Sequence, residues 1–436
     1  MENEDKTQEE EYDFENIDDQ DFCEDIPPSE GSVVKFLLKQ LHIGMSLSQI
    51  TLPTFILEPR STLERFTDWM AHADILRKIK DEPDPYYRCL HLCTWIVAGF
   101  HLGSLRPTKP YNSVIGEVYR SVLVDNNDKI IGQYMAEQVS HHPPISAFHY
   151  RDPVGGVVIW GHTEMRSKFL YNSIAALMDH ENTRVNLEIP SLGETYEFNF
   201  PNMYGRGILF GKMRMEICGQ VRVSCKKTDI NGVIDFLMKP LFRKRYNQFK
   251  GQIWSTRIHP AITFKGRWTA YMKCVDKRNG KIMVPFDVRR IVPLRIVSPP
   301  IEEQCEFESQ YIWQCVSHYI KEKDSANATI HKLAIEEKQR KEREFFDENN
   351  IQWELQVFHF DQRMKRFVPN NLDLTPRNDS DNNEQIEMPE KFHVPVPVVR
   401  ALECGATVSF SQLQRETEKK ISTDHPFVFD DENESD

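Results

Sequence analysis

The chain has 436 residues, 40% of them hydrophobic, enough for one large core or for two or three ordinary domains. Its formal charge of −12 is uneven, because residues 1–30 hold fourteen Asp or Glu against the single Lys6. The remainder is near neutral, which excludes a uniformly acidic domain and a broad basic face for nucleic acid. Nine scattered cysteines without a CxxC pair, an acidic start and no apolar run near ~18 residues argue against a disulfide framework, a metal cluster, a secretory signal or a membrane span. A reducing cytosol is the expected setting.

Taken in order, residues 1–30 read as a disordered acidic tail, with too little apolar content to offset ordering. From Ser32 the pattern changes: Val34, Leu37, Leu38 and Leu41 fall at helical spacing, and Gly44 ends the run. Leu52-Pro53-Thr54-Phe55-Ile56-Leu57-Glu58 is apolar on consecutive residues but broken by proline. By itself, 31–60 is an N-terminal packing element. Residues 61–100 read as helices, opened by Ser61 and Glu64 as a capping box, with Cys89–Phe100 as a second, more buried helix. Pro107 and Pro110 then stop helical structure.

From about Ile115 to Val297 short strands alternate with turns, among them Asp125–Asp128 and Asp152–Gly156. Arg278-Asn279-Gly280 carries an Asn-Gly pair that favours a type I′ turn. The pattern predicts a barrel or sandwich over 101–298. Residues 299–370 predict a C-terminal helical subdomain, roughly Glu308–Asn349, with a returning strand within Trp353–Phe367. The remaining 371–436 read as an irregular extension: polar, then Pro-rich, then acidic.

The centre of the pattern is Glu137-Gln138-Val139-Ser140-His141-His142-Pro143-Pro144, between two half-buried strand patterns. Neither proline can donate to a ladder, so the sheet is interrupted where the histidines sit. On a regular strand the two imidazoles face opposite sides; a bend lets both serve one ligand. An imidazole that donates to phosphate and titrates near neutral pH suits an anion. Two histidines satisfied by backbone at a sheet edge are the other reading. Zinc is disfavoured, since no matching Cys/His pair follows.

EQVSHHPP resembles the signature of the oxysterol-binding-protein-related family of lipid-transfer proteins. Lys109-Pro110-Tyr111-Asn112-Ser113-Val114-Ile115-Gly116-Glu117 is similar to the family's KPxNPxxGE pattern, with Ser113 at the usual second proline. Lys332, Glu336 and Arg340 resemble a third family stretch; their four-residue spacing puts them on one helical face that drifts by about 40° per step. Alone, such a row reads as a solvated face.

The resemblance covers about 32–370 and implies an α+β fold dominated by β. That fold is a large incomplete antiparallel β-barrel around a lipid tunnel, with an N-terminal lid (31–60), N-terminal helices and a C-terminal helical subdomain. No catalytic residue, metal or cofactor is implied. Lys109, Asn112, His141, His142, Lys332, Glu336 and Arg340 would hold the inositol head of phosphatidylinositol 4-phosphate. Leu52, Phe55, Ile56 and Leu57 would belong to the tunnel and lid.

The Leu52–Glu58 string looks like the subset of the family that exchanges phosphatidylserine for phosphatidylinositol 4-phosphate. This implies a cytosolic carrier in transient contact with anionic membranes, at endoplasmic reticulum contact sites, without a pleckstrin-type or ankyrin segment ahead of the core. A sterol as second cargo is the alternative within the class. From another class, a phosphoinositide hydrolase using His141 or His142 is the rival, although GxSxG, P-loop and HExxH motifs are missing.

Two stretches remain. Lys239–Lys250 interleaves five cations with aromatics, as suits an exposed hairpin or an anionic membrane. Glu344-Phe345-Phe346-Asp347 resembles the core of the FFAT motif that binds endoplasmic reticulum receptors, but it lacks the acidic flank and reads as a helix end.

Overall fold

A computed structural model describes residues 24–25, 57–104, 108–179, 181–207, 212–239, 246–372, 374, 386–392 and 396–423. The expected lid helix over Val34–Leu41, together with Leu52, Phe55 and Ile56, lies outside the described residues. So do residues 240–245 of the cationic stretch and most of both acidic ends.

Most of the chain forms one sheet, which has sixteen strands among the described residues, every pairing antiparallel. After the two-residue β1 (Glu24–Asp25), strands β2 (Leu57–Ser61) and β3 (Lys109–Tyr111) pair in parallel as a separate small sheet. The main sheet continues with β4 (Val118–Val124), β5 (Ile130–His141), β6 (Pro144–Asp152) and β7 (Val157–Phe169). Next come β8 (Ser173–Met178), β9 (Arg184–Ile189), β10 (Glu194–Phe198), β11 (Asn202–Arg206) and β12 (Lys212–Cys225). The last are β13 (Ile230–Leu237), β14 (Gln248–Trp254), β15 (Ile262–Arg267), β16 (Tyr271–Asp276), β17 (Ile282–Asp287) and β18 (Arg295–Val297).

Turn chemistry sets the registers. Asp125 Oδ1 accepts from the Asn127 and Lys129 amides between β4 and β5, and Asp152 Oδ1 accepts from Gly155 N between β6 and β7. The Asn279-Gly280 turn departs from the expected type I′ geometry, because only Gly280 has positive φ there (78°). Asp276 organises it instead, accepting from Arg278 N at 2.9 Å and from the Arg278 guanidinium.

The N-terminal helices pack against the inner side of part of the sheet. Ser61 Oγ caps α1 (Thr62–Arg65) by accepting from Glu64 N, 3.4 Å away. The reciprocal half of the capping box is absent, since the Glu64 carboxylate accepts from Gln310 Nε2. After α2 (Thr67–Met70), helix α3 (Pro85–Ser104) packs on β12, β13, β14 and β17, with Trp95, Ile96, Val97 and Phe100 buried. At about 1.5–3 kcal/mol for each large apolar side chain buried, α3 is the main stabilising insert of the barrel.

A second core lies outside the barrel. The helix expected over Glu308–Asn349 is two: α4 (Ser309–Lys321) and α5 (Ser325–Glu348). Lys323 at φ 60° breaks the chain between them, and Asp324 caps α5 by accepting from Asn327 N. The expected single returning strand is a hairpin, β19 (Phe358–Asp361) and β20 (Arg366–Pro369), set against β7.

Within the extension read as irregular, α6 (Val396–Glu403) and α7 (Phe410–Thr423) are helices. Eight residues do not hold a helix in water, but Val398, Ala401 and Phe410 are buried against Phe307, Ile335 and Phe346. Tertiary contact supplies what local propensity lacks. Phe346 of the Phe-Phe pair is thus a core residue rather than a docking side chain.

Candidate functional site

The Lys109–Glu117 loop leaves β3, crosses the top of α4 and enters β4. A buried carboxylate fixes it there: Glu117 accepts from Ser113 Oγ (3.2 Å), Val114 N (3.0 Å), Ser309 Oγ (2.7 Å) and Trp313 Nε1 (3.0 Å). Burial pushes the Glu117 carboxyl up, and these donors oppose that shift. Ser113, which replaces the proline usual in the resembling pattern, thereby ties the loop through its hydroxyl. Gly116 sits at φ +70°, and a Cβ there would stand 1.7 Å from the Trp353 ring, so only glycine fits.

The Glu137–Pro144 hairpin joins β5 to β6 with His141 opposite Pro144. Its Glu137 carboxylate accepts from the amides of Gln356 (2.8 Å), Val357 (2.9 Å) and Phe358 (3.2 Å), docking the C-terminal hairpin on the barrel. Burial pushes Glu137 up to about 7 against those three donors. Gln138 accepts from Ser146 Oγ (2.7 Å) and donates to Ser140 O (2.8 Å), shaping the bend. The two imidazoles meet edge to face at 4.6 Å. Burial, then the charges of His142 and Arg343, hold His141 down to about 4, so it is neutral near pH 7. Its buried Nδ1 has no partner among the described residues.

Lys109 Nζ donates to Asn112 Oδ1 at 2.7 Å. Burial and the nearby Lys332 charge hold Lys109 down to about 8, while Glu336 opposes them. Lys332 is buried rather than on a solvated face, and its Nζ lies 2.5 Å from Glu336 Oε1. The fold thus gathers Lys109, Asn112, Lys332 and Glu336 into one cationic cradle. His141 stands within reach of the Arg343 charge.

Arg340 is not gathered: it is exposed and ion-paired with Glu337. The reason is helix geometry. From Lys332, Arg340 has drifted by about 80°, whereas Arg343, eleven residues on, has returned to within about 20°. Leu57 also departs from expectation. It lies opposite Lys109 in the small parallel sheet and is buried in the second core with Tyr111 and Val114, not on the barrel interior.

A separate open cleft of 420 Å³, lined by Arg60, Glu64, Tyr119 and Gln310, offers no vacant cation, since Arg60 is held by Glu58 and Asp68.

The family model described as "Oxysterol-binding protein" matches residues 36–319. Oxysterol-binding protein 4 of Dictyostelium discoideum is 39% identical over 334 residues, covering 74% of this chain and 70% of that protein. Among solved structures, the Osh1 ORD domain in complex with cholesterol superposes with a TM-score of 0.67 at 22% identity, covering 80% of this chain and 88% of that one. The Osh3 ORD in complex with PI(4)P from Saccharomyces cerevisiae gives 0.60 at 18% identity, covering 78% and 90%.

Proposed function

The chain belongs to the oxysterol-binding protein family, and from that premise we propose that it carries single lipids between membranes, exchanging phosphatidylserine for phosphatidylinositol 4-phosphate. The observation that carries this reading is the convergence of Lys109, Asn112, Lys332 and Glu336 in one cradle. Two ammonium groups neutralise a phosphomonoester, Glu336 accepts from inositol hydroxyls and orients Lys332, and the imidazoles donate from the hairpin side.

A phosphoinositide needs such a protein. Two acyl chains expose roughly thirty methylenes, and at ~0.8 kcal/mol each their transfer through water costs on the order of 20 kcal/mol. Only enclosure removes that cost, so the head-group cradle supplies selection and the barrel supplies most of the affinity. Leu52, Phe55 and Ile56 belong to the lid in this reading. The resemblance of one solved neighbour crystallised with cholesterol keeps sterol as the second reading of the exchanged cargo.

The test is vesicle-to-vesicle transfer of all three lipids by the full chain. Extraction of phosphatidylinositol 4-phosphate and transport of phosphatidylserine are expected, with no phosphate released. Sterol transport without phosphatidylserine transport would replace the cargo, and phosphate release would replace the class.

Lys109 makes the reading pH-dependent. Its folded pKa, about 8, lies below the ordinary 10.5, so it loses its charge within an accessible range. Head-group affinity should fall as pH rises past 8, approaching tenfold per unit. Stability of the ligand-free protein should move the other way, rising from pH 8 towards 10.5, because there the unfolded chain holds a proton that the folded chain has released. Lys109→Arg, which stays protonated, should flatten the affinity profile. Titration calorimetry with a soluble inositol phosphate, run across this range on both proteins, measures it.

A further inference from the structure

Lys109 differs from the two buried lysines of α5 in how its nitrogen is held. Lys332 is bridged to Glu336, and Lys338 to Glu342. Lys109 forms no such bridge among the described residues. Its Nζ donates to two neutral oxygens, Asn112 Oδ1 at 2.7 Å and Pro110 O at 3.4 Å. The charges that face it are both on α5, Lys332 repelling and Glu336 attracting, and Glu336 is already engaged by Lys332. On its other side, Leu57 of β2 brings no charge.

That arrangement favours the amine over the ammonium. Losing a proton relieves the repulsion from Lys332 and leaves the hydrogen bond to Asn112 in place. Burial first, then Lys332, holds Lys109 down to about 8. At about pH 7.5 roughly a quarter of such a group is neutral, against roughly one part in a thousand for a lysine at 10.5. A desolvated lysine beside a second cation is a nucleophile, because its lone pair is free to attack a carbonyl carbon. Reagents can also reach it, since Lys109 is only half-buried. Lys338 is the contrast: burial holds it down to about 7, but it is sealed at 3% exposure with its Nζ 4.2 Å from the Phe410 ring.

We propose that Lys109 is an acylation site for acyl phosphates, with Lys332 binding the phosphate and the Lys109 amine taking the acyl group. A small phosphate-bearing electrophile suits this cradle, because its leaving group is itself the anion that a lysine attracts. The Nζ lone pair attacks the carbonyl carbon, and a C–N bond forms. The C–O bond to phosphate breaks, the phosphate leaves with the electron pair, and the proton lost from Nζ ends on it. The products are an uncharged amide and hydrogen phosphate, and no oxidant or reductant is needed. An amide lacks the charge and the donor count of an ammonium and adds bulk beside Asn112, so acylation closes the cradle to head groups. Only this last consequence rests on the carrier reading; the reactivity of the amine does not.

The experiment treats the full chain with acetyl phosphate at about pH 7.5 and follows each acetylated lysine by peptide mass spectrometry. Lys109 should react about tenfold or more faster than the exposed Lys277 and Lys341. Its rate should level off above about pH 8, the signature of its own titration. Excess inositol 4-phosphate should slow Lys109 and leave the other two unchanged. K332M should slow Lys109 about tenfold, since the phosphate contact and the repulsion are lost together. If K332M does not fold, the uncharged ester N-acetoxysuccinimide takes its place on the wild type and should show a smaller preference for Lys109. Labelling of Lys109 no faster than Lys277 and Lys341, or an equal preference with both acyl donors, overturns the proposal. The acetylated protein should bind inositol 4-phosphate about tenfold or more weakly by calorimetry, and unchanged affinity overturns the closing of the cradle. A wild type acetylated selectively at Lys109 that binds no inositol 4-phosphate instead removes the head-group reading.

Discussion

Extraction of phosphatidylinositol 4-phosphate should fall by about two orders of magnitude or more when His141 and His142 are both replaced by alanine, while the fold survives. The structural cost is small. Both rings sit at a hairpin tip, His142 is exposed, and the two rings meet edge to face. The functional cost is large because the phosphate would lose two donors on the side away from Lys109 and Lys332. Hydrogen bonds to charged groups are worth about 1.5–3 kcal/mol each, so two account for a factor of a hundred and upwards. Extraction from vesicles, with thermal midpoints measured in parallel, reads both halves. A folded double mutant that extracts normally would move the head group elsewhere.

Glu117→Ala should destabilise the protein by about 3–5 kcal/mol and disable the cradle at the same time. Four donors converge on this carboxylate from the loop and from α4, among them the Trp313 indole. Alanine leaves them unpaired in a buried site, at about 1–3 kcal/mol for each group that stays buried and unsatisfied. Ser113→Ala removes a single donor and should cost about 1 kcal/mol. Denaturant midpoints for the two variants should therefore separate clearly. Equal midpoints would mean that the loop is held by packing alone, through Tyr111 stacked on Trp313 at 4.6 Å.

The sheet was legible because its cues are local: alternation along each strand, and Asp, Asn and Gly at the turns. The cradle was legible through Lys109, Asn112, Lys332 and Glu336, whose motifs are contiguous or evenly spaced. Arg343 was within reach of the same helical arithmetic that named Arg340, since an eleven-residue step closes on the starting face more nearly than an eight-residue one. Glu117 and Glu137 were not legible in their structural role. Their partners Trp313 and Val357 lie 196 and 220 residues away, and no pattern in either segment marks the pairing. Helices α6 and α7 escaped for a related reason: an eight-residue stretch opening on Val396-Pro397 has no helical signal until Phe307 and Phe346 are there to cover it.

The sheet does not close on itself. Its terminal strands are β17 and β18, and among the described residues neither pairs with the other. Near this gap the chain is tied to the N-terminal helices by a bond from Leu294 N to Ala71 O at 2.8 Å. In a closed barrel, strand number and stagger set the radius, and widening it means breaking a ladder. Here girth is a free variable. Among the described residues no β17–β18 ladder fixes it, so a widening at this seam breaks no interstrand bond. Under the carrier reading proposed above, such a wall would take two lipids of different cross-section in turn without changing its hydrogen bonds.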